Sequence, residues 1–147
     1  MSSLTDLPCE VIAAVLRELG NVRSILPLII ACQHIYFSFT EYPGIAADII
    51  ERQITPDLVP YAVAASEASQ LKPGSRTAGL ELLKTLYEKP SILANRVRSM
   101  SVPDLTRMGY THDVIRSFVA EFASSAWTRL ARDPGSRAAT SAGQLKD

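Results

Sequence analysis

The sequence predicts an all-α protein, and three observations carry that reading. Apolar residues recur at steps of three and four in one segment after another, as a face of a 3.6-residue helix requires. No segment shows the strict alternation or β-branched clustering of a strand, and no repeat period emerges. The 7 glycines stand singly at the ends of the periodic segments, where helices stop. With 147 residues the chain fits one domain, or a small domain behind a short module, and can bury about two-thirds of its unfolded surface without a staple. An apolar share of 47% against 20% charged places it among globular chains.

The first elements lie in Leu7 to Tyr36, LPCEVIAAVLRELGNVRSILPLIIACQHIY. Pro8 suits the first turn of a helix, where its missing N–H has no partner to lose, and Glu10 lies near the positive end of the helix dipole. Val11, Ile12, Val15, Leu16 and Leu19 then mark one apolar face. Gly20 is expected to end this helix in the left-handed conformation, and Asn21 to cap the next. That second helix starts at Val22 and meets Pro27 in its interior, which predicts a kink or break there. Beyond it Leu28, Ile29, Ile30, Ala31, Cys32, Ile35, Tyr36 and Phe39 are apolar almost all round, so the helix is buried on more than one side, by its own chain or by a partner.

Taken together, Leu7-Pro8-x-Glu10-Val11-Ile12, the aliphatic Val15, Leu19 before a turn, Ile25-Leu26-x-Leu28 and Ala31-Cys32-Gln33-His34-Ile35-Tyr36 resemble an F-box of the form common in fungal proteins. Ser24 departs from that pattern, standing where an acidic residue is usual, and Pro27 interrupts a helix that many members continue. The resemblance covers about the first quarter of the chain. It implies a three-helix module over residues 1–41, and docking on the Skp-family adaptor of a cullin-RING (SCF-type) ubiquitin ligase. The rest of the chain would then hold an unknown protein substrate, with no chemistry of its own. The expected docking face is Leu7, Pro8, Ile12, Val15 and Leu16, continued by Ile25, Leu28 and Ile29. The rival reading is a self-contained helical interaction scaffold, homo-oligomeric through the Ile25 to Phe39 helix, with no link to ubiquitin.

Residues 42–135 read as a further helical region. Pro43-Gly44 is turn punctuation, and the short amphipathic helix of Ile45, Ile49, Ile50 and Ile54 is expected to pack back on the first module. Thr55-Pro56-Asp57 is a helix start, followed by an alanine-rich face that leaves room for close packing. Lys72 to Ser75 breaks that helix, and in the next Leu80, Leu83, Leu86 and Tyr87 share a face until Pro90 stops it. Ile92, Leu93 and Val97 form a weaker inner pattern, and Ser101-Val102-Pro103-Asp104 resembles a capping box. A helix of one or two turns should follow and stop at Gly109. The longest helix is expected from Thr111, with Val114, Ile115, Phe118, Val119, Phe122, Ala126 and Leu130 inward and Trp127 at the edge of that stripe, buried rather than a partner-binding anchor. Asp133-Pro134-Gly135 ends it, and the small polar residues 136–147 read as a disordered tail.

The remaining signals exclude more than they assign. A net charge of zero argues against a chain made to lie along nucleic acid or an acidic membrane, and the apolar run around Ile25 to Cys32 falls far short of the ~20 residues that span a bilayer. With no signal-type N-terminus the protein is expected to be intracellular, cytosolic or nuclear. Two cysteines make no disulfide framework, and Cys9, Cys32, His34 and His112 lack zinc spacing, so no metal or cofactor is expected. Cys32 and His34, two apart on a helix, point to different sides, and His112 with Asp113 fails similarly; no enzyme is expected.

Overall fold

The computed structural model describes residues 6–132, and side chains as far as residue 129. The described residues are all-α: α1 Cys9–Arg17, α2 Ile25–Ala31, α3 Gln33–Glu41, α4 Ile45–Gln53, α5 Val59–Gln70, α6 Arg76–Glu88, α7 Pro90–Arg96 and α8 Val102–Arg132. Short 3₁₀ turns lead into α2 and α5 and follow α7. The chain divides into a compact unit ending at His112 and a second beginning at Asp113. The expected ends at Met1 to Thr5 and in 133–147 lie outside the described residues.

In the first unit α1 packs on α3 and α4, α2 on α3, and α5, α6 and α7 on one another. A single core cluster joins them, running from Ile12, Ala13, Leu16, Val22 and Ile25 through Ile49, Ile50 and Val63 to Leu93, Leu105 and Met108. The boundary expected between residues 41 and 42 is therefore no seam: α4, on one side of it, packs on α1, on the other. Charge reinforces the joint. Asp48 of α4 accepts from Arg17 of α1 at 2.9 Å and lies 3.1 Å from Arg98, which also reaches Glu51 at 3.1 Å. These pairs are half in solvent, so they orient the helices more than they stabilise them.

Several local expectations need correction. Gly20 takes no positive φ; α1 ends earlier, at Arg17, where the N–H groups of Glu18 and Leu19 close tight turns onto Val15 and Leu16. Asn21 does cap, its Oδ1 accepting from the Arg23 N–H at 2.9 Å. The proline break falls before Pro27 rather than at it: a 3₁₀ turn precedes α2, leaving Pro27 in the first turn, where its missing donor is harmless. A second break at Cys32, extended at φ −144°, separates α2 from α3. Pro90 likewise opens α7 instead of merely stopping α6.

The capping box is real, with Ser101 Oγ donating to Asp104 Oδ2 at 2.6 Å and accepting from the Asp104 N–H at 3.3 Å. The helix it starts does not stop at Gly109. That residue is buried, and a Cβ there would lie 2.6 Å from Val22 Cγ1, 3.2 Å from Ile50 Cδ1 and 3.3 Å from Gln53 Oε1. Gly109 is a site of close approach inside a 31-residue helix, not a terminator.

The shared face of α6 turns mostly to solvent, and the inner stripe expected on the end of α8 is not inner. Leu80, Leu83 and Tyr87 are exposed, and only Leu82 and Leu86 of α6 pack partly on the core. In the second unit Val114, Ile115, Phe118, Val119, Phe122 and Trp127 are all exposed, which also overturns the expectation of a buried tryptophan. The side chain of Leu130 lies outside those described.

Candidate docking surface

Helix α1 decides what the front of the chain can offer a partner. Consecutive helical residues are about 100° apart, so Val11 with Val15 forms one row and Ile12 with Leu16 the next. The structure separates these rows. Ile12 and Leu16 are 3% exposed, with Ala13 fully buried between them, whereas Val11 is 43% and Val15 58% exposed. The inward row holds α1 to α3 and α4, and the outward row continues toward exposed Leu7 and Pro8.

The segment before α1 is tied down as well. His34 Nε2 lies 2.9 Å from the carbonyl oxygen of Leu7, which accepts from the ring N–H, and His34's own carbonyl accepts from the buried Ser38 hydroxyl at 2.9 Å. Beside α1, Tyr42 is half-buried, and that burial, followed by a hydrogen bond to the Glu10 carboxylate and its charge, holds the phenol above the usual tyrosine value. His34 is thus occupied in positioning Leu7, and Cys32 stands half-buried at the break between α2 and α3. Among the described residues no three His, Cys, Asp or Glu side chains gather as a metal site would require.

On α2 the same sorting recurs. Ile25 is fully buried, Leu28 and Ile29 pack partly on the core, and Leu26, Pro27 and Ile30 face water, Ile30 at 81%. Of the eight residues expected to dock, Leu7, Pro8 and Val15 are therefore exposed, Leu28 and Ile29 half-buried, and Ile12, Leu16 and Ile25 sealed in the chain's own core. Those last three cannot touch a partner while the unit is folded. Val11, Leu26, Pro27 and Ile30 are further exposed apolar residues that the expected set lacks. Spacing would have found them only with knowledge of which of two adjacent rows α3 and α4 cover. Farther along, α3 presents Tyr36 and Phe37, edge to face with centroids 6.0 Å apart.

Comparison with family models, with curated proteins and with solved structures finds no match for this chain. No helix among the described residues is long and apolar enough to cross a membrane.

Proposed function

We propose that the front of this chain is an F-box-type module that docks on a Skp-family adaptor, making the protein a non-catalytic, substrate-recruiting component of a cullin-RING ubiquitin ligase. One observation carries the reading: helices whose inner sides are fully packed still leave Leu7, Val11, Val15, Leu26 and Ile30 in water. Aliphatic side chains on a helix face gain roughly 1.5–3 kcal/mol each when covered, so a few such anchors suffice for a specific interface. The residue pattern from Leu7 to Tyr36 and the three short helices that follow one another there support the same reading. The later helices then hold a protein substrate.

The test is co-purification of the full chain with a Skp-family adaptor. Val15→Asp places a charge on the outward row without touching the core and is expected to abolish the complex while leaving the melting temperature unchanged. Ile12→Asp is uninformative about docking, because Ile12 is core. Wild-type chain that captures no adaptor, or Val15→Asp that captures it undiminished, sinks the proposal. The unbroken core from Ile12 to Met108 favours the second reading, a self-contained helical interaction scaffold, and an absent adaptor would leave that reading standing.

A further inference from the structure

One groove in the first unit draws no residue from the docking face. Helices α5 and α6, joined by the short loop from Leu71 to Ser75, leave between them a trough of about 530 Å³. Small residues, Ala65, Ala68 and Gly79, line it together with Leu80, Leu83 and Leu86. The lining surface is almost wholly apolar, and Arg76 is the one charged residue along it. We propose that this trough binds a single-chain amphipathic carboxylate of the fatty-acid class, with its tail along the leucines and its head at Arg76.

Size, shape and charge select that occupant. The volume falls within the roughly 300–1,000 Å³ of small-molecule sites, while the lining supplies far fewer residues than the roughly 20–30 that a partner protein engages. From Arg76, the first residue of α6, to Leu86 the trough extends about 15 Å at 1.5 Å per residue, room for an extended acyl tail of medium length. Alanine and glycine let such a tail lie close to the helix backbones, and the leucines flank it. Because the lining is nearly all carbon while Arg76 is exposed, the arginine gives its aliphatic stem to the wall and keeps its guanidinium at the rim, where a head group stays hydrated. That cation is uncommitted. Arg76 forms no ion pair among the described residues, and Glu67, the one acid of α5, is held by Arg96 at 2.7 Å. A guanidinium pairs well with a carboxylate, so an anion with a linear apolar body matches both rim and trough. A neutral or cationic amphipath matches the trough alone.

The measurement is an amide NMR titration of the full chain with decanoate held below its micelle-forming concentration. Saturable shifts centred on α5 and α6 are expected, with affinity rising about twofold to fourfold per methylene from hexanoate to decanoate. Arg76→Gln should weaken decanoate about fivefold and leave decanol unchanged, which separates the head-group contact from the tail. Ala68→Phe fills the trough and should remove both ligands. Arg76 and Ala68 are exposed, so both variants should keep the helicity and melting temperature of wild type. Four results overturn the proposal: decanoate that shifts nothing or shifts residues away from α5 and α6, affinity indifferent to tail length, Arg76→Gln that binds decanoate as tightly as wild type (an apolar gap without head-group selection), or Ala68→Phe that binds it undiminished (another site). Adaptor docking is separable from all of these, because Val15→Asp is expected to leave decanoate binding intact.

Discussion

Gly109 is the residue at which reading by rule and reading by packing part company. A glycine after an apolar periodic segment ordinarily ends a helix, yet here the missing side chain admits Val22 Cγ1, which would sit 2.6 Å from a Cβ. Gly109→Ala should raise helix propensity by about 1 kcal/mol. Val22 is fully buried and cannot retreat, so overpacking of about 1–3 kcal/mol outweighs that gain. The variant is therefore expected to melt lower than wild type, and a higher melting temperature would refute the close-approach role. Tyr42 supplies a pH dependence whose sign is fixed. Half-burial and then Glu10 disfavour its phenolate, so its folded pKa lies above the unfolded one. The stabilising contribution is whole below the ordinary tyrosine value, about pH 10, and is lost as pH rises through the raised value. Tyr42→Phe should accordingly flatten the alkaline end of the stability curve, measured by denaturant melts across that range; a curve of unchanged slope would remove the residue from the account. Neither role was legible beforehand, since each depends on what another element brings to the residue.

Helices were far more legible than their orientations. The caps at Asn21 and Ser101 and the breaks flanking α4, α5 and α6 follow from local chemistry that the nearest few residues decide, and they stand as expected. Which row of a helix faces inward is decided elsewhere, by the helices that cover it. In α1 the five apolar residues form a face too wide to bury whole, and packing by α3 and α4 selects Ile12 and Leu16 over Val11 and Val15. The same excess of apolar width leaves an outward row exposed, so that such a row would exist was legible while its member residues were not. A pair of adjacent substitutions tests the sorting directly. Leu16→Ala should cost about 2–5 kcal/mol, as truncation of a buried leucine does, while Val15→Ala should change stability by no more than about 0.5 kcal/mol. Equal losses at the two positions, read from urea denaturation, would mean that both rows are buried and that no outward face exists.

The whole molecule turns on whether the front of the chain is a separable module, and the core says it is not. Ile12, Leu16, Val22 and Ile25 share one cluster with Ile49, Ile50, Leu93 and Leu105, and the Arg17–Asp48 pair crosses the same junction. Removing residues 1–41 would expose the apolar sides of α4 and of the start of α8, with nothing left to replace them, whereas the cluster includes no residue beyond Met108. Small domains are stable by only about 5–15 kcal/mol, and five fully or nearly buried aliphatic side chains, Ile12, Leu16, Val22, Ile25 and Ile35, leave with that deletion. At the roughly 1.5–3 kcal/mol that burial of each contributes, their loss consumes the margin. Residues 42–147 alone should therefore show weak helical circular dichroism and no cooperative thermal transition, while residues 1–112 should keep both. A cooperative melt from the 42–147 fragment would mean that the later helices carry a core of their own. In that case an adaptor could engage the front as an independent domain. Without such a melt, the proposed adaptor docking and the fold of the later helices would be coupled: a partner covering Leu7, Val11 and Val15 would brace the same α1 whose other side completes the core. Binding to the folded chain alone then raises its melting temperature in proportion to the logarithm of adaptor excess.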